Sequence, residues 1–384
     1  MNSKSLKIAF LDFDDIKNPL LGAGQAKATL EVGKRLVSRG HKVEIISSKY
    51  PGYEDRFEEG MLYKHIGLGS SNIRLNNVAY IFSLPSEVKK ITADLLVECF
   101  TAPVSTLFTP LWTKIPVVVI PTSFAADHFS RVYHLPFQLV ERVGLKLYKY
   151  HLPYSSYLDN KMKKFNKTVV SKIFPEGVGE EYFRIPRKTP KHILYLGRLE
   201  IAQKGLDLLL QAYALSASHI ALPLIIAGNG PDEGKVEVLV KQLGLERQVT
   251  LIGPTFGEKK KQVMSEALFV AFPSRFEGFS LFALEALAAG LPLVAFDIPG
   301  ISWTPERATF KAECFDTQEY AKLLVKAASD PNALQVMGTY AREYARQFTW
   351  DAVVKEYEDF FYKILSSSRG EITGYRRAVL YQSM

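Results

Sequence analysis

Cysteine is scarce in this 384-residue chain: only Cys99 and Cys314 occur, each alone in its neighbourhood. That excludes a disulfide framework or a C-x-x-C redox or zinc site, and it fits a reducing compartment. Long apolar runs are missing too. The most apolar window, residues 281–296, is interrupted by Glu285, Gly290 and Pro292, and it falls short of the ~20 residues that cross a bilayer. The first apolar run, Ile8 to Leu11, is too short for a signal peptide. The expectation is a cytoplasmic protein, at most peripheral on the inner face of a membrane. Charge is only mildly one-sided, 48 basic against 40 acidic residues, a net of +8. Such a balance favours anionic partners without specifying a fold. What the chain does have is an ordinary globular composition, 47% apolar and 23% charged. Its length, at roughly 150 residues per domain, suggests two domains.

Both halves read as alternating strand and helix. Leu6–Leu11 and Lys42–Ser48 are strands flanking a helix at Gln25–Arg39, followed by short apolar strands at Leu95–Val97 and Val117–Ile120. The pattern restarts with strands at Ile193–Leu196, Leu224–Ala227, Val249–Ile252, Leu268–Phe272 and Leu293–Phe296. Short apolar runs separated by helices indicate parallel sheets buried on both faces. The expected domains are residues 1–175, joined by a last helix at about 350–384, and residues 176–349.

The segment Ser274 to Gly290 concentrates the chemistry. A buried strand ends at Pro273, and a short loop carrying Glu277, Gly278 and Phe279 enters a helix at Ser280, a good N-cap. Gly290 is its stop signal. Ligands of open α/β sheets bind beyond the carboxyl ends of strands, and the free N–H groups from Gly278 to Leu281 suit a phosphate. Glu285 lies inside an apolar helix, where a carboxylate needs a partner: either a structural ion pair or a ligand. Arg198 and Lys204 follow the strand end at Gly197, so two cations stand near the same feature. One cation–anion pair at 4 Å contributes about 4 kcal/mol at an effective dielectric of 20. No Asp-x-Asp or histidine cluster is positioned there to hold a metal, so no cofactor is expected.

The E-x7-E spacing of Glu277 and Glu285, set in F-P-S-R-F-E-G-F-S-L-F-A-L-E-A-L-A-A-G, resembles the donor site of family 4 retaining glycosyltransferases. Gly197-Arg198-Leu199 with Lys204-Gly205 is similar to that family's G-R-L…K-G motif, and Gly228-Asn229-Gly230-Pro231 to its G-x-G-P turn. Phe348-Thr349-Trp350 resembles the start of its closing helix. Glu176 stands where an Asn is usual. The resemblance implies a GT-B fold: two Rossmann-like domains facing across a cleft, with a C-terminal helix crossing back to the first. It implies sugar transfer from a UDP- or GDP-sugar to a hydroxyl acceptor, with retained configuration and no metal. Glu277 would bind the transferred sugar and Glu285 the ribose. Arg198, Lys204 and the amides of Gly278, Phe279, Ser280 and Leu281 would stabilise the diphosphate as it leaves. An epimerase or phosphorylase of the same architecture, or an inactive nucleotide-sugar-binding partner, are the rival readings.

In the first half, Gly22-Ala23-Gly24 resembles the family's glycine-rich loop, with Leu21 where another Gly is usual; a plain turn is the alternative. The loop begins too far after its strand for a dinucleotide fingerprint. Thr122 or Ser123 occupies the place of a histidine found in many relatives, and His128 follows a turn later as a candidate catalytic residue. Basic and aromatic residues interleave from Arg131 to Lys167, either as a surface for anionic lipid or as a solvated helix face. No nucleic-acid motif accompanies them.

Overall fold

The structure is a computed structural model describing residues 4–21, 24–101, 108–124, 126, 130–131 and 134–381. The chain divides into two α/β units, Met1–Glu176 with Trp350–Met384, and Gly177–Thr349.

In the first unit the strands are β1 (Lys7–Leu11), β2 (Lys42–Ser48), β3 (Arg56–Glu58), β4 (Met61–Ile66), β5 (Leu95–Thr101), β6 (Val117–Ser123), β7 (Tyr150–His151) and β8 (Val170–Ser171). They form one sheet in the order β3-β4-β2-β1-β5-β6-β7-β8, parallel except for the β3–β4 hairpin. The central strands explain the topology. Ile8 to Leu11 and Leu95 to Val97 are buried completely, as expected of strands covered on both faces. The helix Gly24–Ser38 covers the sheet with Ala28, Val32 and Leu36, a spacing of four residues that keeps one face inward. The last helix, Trp350–Tyr381, returns to this unit. It buries Val353, Val354, Tyr357 and Phe361, and Glu358 accepts from Arg39 at 2.6 Å and lies 3.0 Å from His41.

The second unit holds β9 (His192–Leu196), β10 (Leu224–Ala227), β11 (Val249–Gly253), β12 (Ala267–Phe272), β13 (Leu293–Phe296) and β14 (Thr309–Ala312). All pair in parallel in the order β11-β10-β9-β12-β13-β14. From β9 the chain builds outward to β11, then returns to the other side of β9 with β12. The order therefore reverses between β9 and β12, and between β1 and β5 in the first unit. Loops leaving such neighbours diverge to opposite faces and open a crevice at the carboxyl end.

The strands absent from the sequence reading have a common cause. β7 and β8 are two residues long, β3 is an exposed edge, β14 carries Lys311, and β4 places Lys64 and His65 side by side among its apolar residues. None supplies an apolar run or a clean alternation.

Candidate functional site

The carboxyl ends of β9 and β12 bring together residues far apart in sequence. After β9 the chain makes a single helical turn, Ile201–Lys204, closed by Gly205 in the left-handed region at φ 64°. A Cβ on Gly205 would lie 2.1 Å from the Pro273 carbonyl oxygen, so the turn presses on the loop after β12. Arg275 fastens the two. Its backbone N–H donates to Gln203 O at 2.8 Å. Its guanidinium donates to Ile201 O and, in a two-pronged pair at 2.7 Å each, to Asp207. A planar fork of this kind fixes orientation as well as charge.

The turn thereby delivers Lys204, whose Nζ donates to Glu277 Oε1 at 2.6 Å. Ser274 Oγ donates to the same oxygen at 2.7 Å. The Glu277 side chain is only 7% exposed. Gly300, on the loop after β13, packs against the backbone of Glu277: a Cβ there would fall 2.1 Å from the Glu277 carbonyl oxygen. The sequence reading assigned nothing to Gly300 or Arg275, although Pro299-Gly300 just past a strand is a turn signal. Gly228, at φ 136°, packs against Gly197 so closely that a Cβ would come 1.9 Å from its carbonyl oxygen. Asn229 O accepts from Leu199 N at 2.9 Å. These residues thus shape the β9–β10 loops. Arg198 stands apart from Lys204: its side chain is 61% exposed and pairs with Glu200 at 3.2 Å.

The helix Leu281–Ala288 starts as expected, with Ser280 Oγ accepting from Ala283 N at 3.2 Å. Phe279 stacks on Trp303 with ring centroids 4.5 Å apart, and Leu281 opens the first turn. Glu285 is buried in this helix and takes an ion pair that the sequence did not reveal: Lys260 Nζ lies 2.5 Å from its Oε2. Lys260 also sits over the rings of Tyr182 and Phe282. Glu277 and Glu285 are therefore held by different cations from different elements.

In the first unit Gly24 is the exposed first residue of its helix, while Gly22 and His128 lie outside the described residues. The loop after β1 carries three buried carboxylates that sequence reasoning passed over. Asp15 accepts two bonds from Arg56, at 2.7 and 2.9 Å, and lies 2.9 Å from His65 Nε2. Burial alone would raise its pKa, but these partners outweigh it and hold the group well below the usual range. Asp12, bonded by Thr29 at 2.5 Å, is pushed up to about 6 by burial. Asp14 is pushed to about 8 by burial and then by the Asp12 charge; its Oδ2 has no hydrogen-bond partner. Among the described residues no group of three or more histidine, cysteine or carboxylate side chains is arranged to hold a metal ion.

Comparison with known proteins places the family match within the second unit. Residues 180–344 match the family model described as glycosyl transferases group 1. A D-inositol 3-phosphate glycosyltransferase from Jonesia denitrificans is 31% identical over 169 residues, 41% of this chain and 40% of that protein. An N-acetyl-alpha-D-glucosaminyl L-malate synthase from Bacillus anthracis is 25% identical over 185 residues, 47% of this chain and 48% of that protein. The chain thus spans less than half the length of these two relatives. Among solved structures, a sucrose-phosphate synthase from Thermosynechococcus elongatus superposes with a TM-score of 0.77 at 17% identity, covering 94% of this chain and 99% of that one. Anabaena HepE, in complex with UDP-glucose, gives 0.73 at 16% identity, covering 94% and 100%. At such identities the likeness speaks to the fold, which is GT-B.

Proposed function

We propose, from the match of residues 180–344 to the family model described as glycosyl transferases group 1, that this chain moves a sugar from a nucleotide-diphosphate sugar to a hydroxyl acceptor with retention. The observation that carries the proposal is the Lys204–Glu277–Ser274 cluster at the β9/β12 switch point. There a buried carboxylate, held by an ammonium and a hydroxyl, can accept bonds from sugar hydroxyls. The ammonium beside it can meet the diphosphate. In this reading Lys204, Arg198 and the amides from Gly278 to Leu281 stabilise the charge that develops on the leaving diphosphate. They do so without a metal. Glu285 holds the ribose from the next turn of the helix. The second unit takes the donor, and the first takes the acceptor. The UDP-glucose complex of HepE supports a uridine donor first.

A thermal-shift screen of UDP-, GDP- and ADP-sugars tests this, with calorimetry on Lys204→Ala as its control. Lys204→Ala should weaken nucleoside diphosphate binding at least tenfold and leave the nucleoside nearly unchanged, since the lost charge acts on phosphate. Equal losses for UDP and uridine would place Lys204 away from the diphosphate.

A peripheral membrane role has one specific support. On the helix Phe137–Leu145, Leu139, Val140 and Val143 are exposed, beside Arg142 and Lys146. An apolar stripe flanked by cations suits an anionic interface. The surface is narrower than the sequence suggested, because Tyr148 and Tyr150 are buried in the core and Lys161 donates to Phe124 O. Tyr133 lies outside the described residues. Leu139→Asp should reduce co-sedimentation with phosphatidylglycerol vesicles at 0.05 M salt by severalfold. Equal binding of both proteins would return this helix to a solvated face. Among the described residues no helix is long and apolar enough to cross a membrane.

A further inference from the structure

At the opposite, amino-terminal end of the second sheet lies a cavity of about 680 Å³, within the size range of small-molecule sites. Its walls are the segment 187–190 leading into β9, Leu268 at the start of β12, Gly290 ahead of β13, and one face of the helix Pro331–Ala345. All three strands run away from it toward Lys204 and Glu277. One strand length, roughly 15–20 Å at ~3.3 Å per residue, therefore separates the two places.

The charge in this cavity is uneven. Arg187, Lys188, Arg342 and Arg346 line it, against one carboxylate, Glu343. The guanidinium groups spend their bonds on backbone carbonyls: Arg187 donates to Met264 O and Ala267 O, and Arg342 to Ile185 O and Ala289 O. Carbonyls satisfy N–H groups without neutralising a charge. Among the described residues, only Arg346 of these three guanidinium groups pairs with a carboxylate, Glu343 at 3.3 Å. Arg342 Nε is buried and has no hydrogen-bond partner in the cavity wall, a costly state for a charged donor. The arginines also oppose one another. Burial and then Arg342 bring Arg187 down to about 10, and burial and then Arg346 lower Arg342. Thr189, Gln335 and Thr339 add neutral polar groups to the lining.

We propose that this cavity is a second anion site, separate from the donor site, which takes a soluble phosphate monoester. The phosphate sits among Arg187, Arg342 and Arg346, and the hydroxyls of the esterified part face Thr189, Gln335 and Thr339. A dianion relieves the repulsion among the three guanidinium groups and supplies the negative charge that the cavity lining lacks. Charge-assisted bonds to phosphate are the stronger kind, and the arginine fork matches phosphate geometry. The site is built within the second unit and does not depend on the proposed transfer reaction.

Calorimetric titration with glucose 6-phosphate, and separately with inorganic phosphate, at 0.1 M salt tests it. The chain should bind both, the ester more tightly. Arg346→Glu, an exposed position, should weaken binding at least tenfold, as should Lys188→Glu, while Lys204→Ala leaves it within twofold. Because Arg342→Gln removes carbonyl bonds as well as charge, its folding is checked by circular dichroism, and the two exposed variants decide the matter. Loss of binding in Lys204→Ala with retention in Arg346→Glu would assign the anion to the donor site and overturn the proposal. So would the absence of binding up to 10 mM. If phosphatidic acid vesicles bind in an Arg346-dependent way while glucose 6-phosphate does not, the ligand is a lipid headgroup and the soluble-ligand proposal fails.

Discussion

Lys260→Met should destabilise the second unit by about 3–5 kcal/mol, the usual cost of stripping one partner from a buried ion pair. The Glu285 side chain is 5% exposed and lies in an apolar helix among Ala283, Leu284, Ala286 and Leu287. Without its ammonium partner the carboxylate loses the opposite charge that offsets its desolvation. Met matches the length of the lysine stem and keeps the packing against Tyr182 and Phe282, so the loss reports charge rather than volume. The double variant Lys260→Met, Glu285→Leu should recover most of the stability, because an apolar pair of similar volume removes both desolvation costs. Urea unfolding of the two single variants and the double variant measures this. A loss below about 1 kcal/mol in Lys260→Met would show that Glu285 does not rely on the ammonium. The same series separates structure from binding at Glu285. Glu285→Gln should also raise the UDP dissociation constant severalfold if the carboxylate holds the ribose. An unchanged constant would leave Glu285 as an ion-pair residue alone.

This pair marks where sequence reasoning stopped. Local signals were readable: the apolar runs of β1, β9 and β12, the Ser280 cap, and the left-handed Gly290 that ends its helix. Gly205 stands at a helix start in the sequence, and the structure adds that it also closes the short turn before it. Each depends on residues within a few positions of one another, which is what periodicity and capping report. The fold followed, because alternating buried strands and helices leave few topologies besides a parallel sheet with a switch point. Partnerships across the fold were not readable. Lys204 and Glu277 are 73 positions apart, and Lys260 and Glu285 are 25 apart on different elements. Nothing in either segment names its partner. Gly300 is a close-approach glycine only because Glu277 lies against it. The acid loop after β1 was overlooked for a different reason. A run of aspartates in a loop reads as solvated turn, and only the burial of Asp12, Asp14 and Asp15 shows otherwise.

That burial makes the stability of the first unit fall as pH rises above about 4. In the unfolded chain Asp14 titrates near its ordinary value of 3.8, whereas in the folded unit it holds its proton to about 8. Between those values the folded state binds the extra proton, so stability is full below about pH 4 and is lost progressively up to about pH 8. Asp12, raised to about 6, adds to the loss over the lower part of that window. Asp15 works in the opposite sense. Its pKa is held low by His65 and Arg56, so its contribution is present above pH 4 and disappears as the pH falls. The unit should therefore be most stable near pH 4–5. At ~1.4 kcal/mol per pH unit for one proton, the decline from pH 5 to pH 8 is on the order of a few kcal/mol. Asp14→Asn removes the titrating group but keeps a side-chain oxygen for the Asp15 N–H, which now donates to Asp14 Oδ1 at 2.9 Å. The variant should match the wild type near pH 5, exceed its stability at pH 8–9, and show a flatter profile between. Hydrogen exchange at the β1 amides of Ile8 to Leu11, corrected for intrinsic rate, reads the first unit specifically. A wild-type profile already flat from pH 5 to pH 9 would mean that Asp14 is ionised in the folded state, with water reaching its Oδ2.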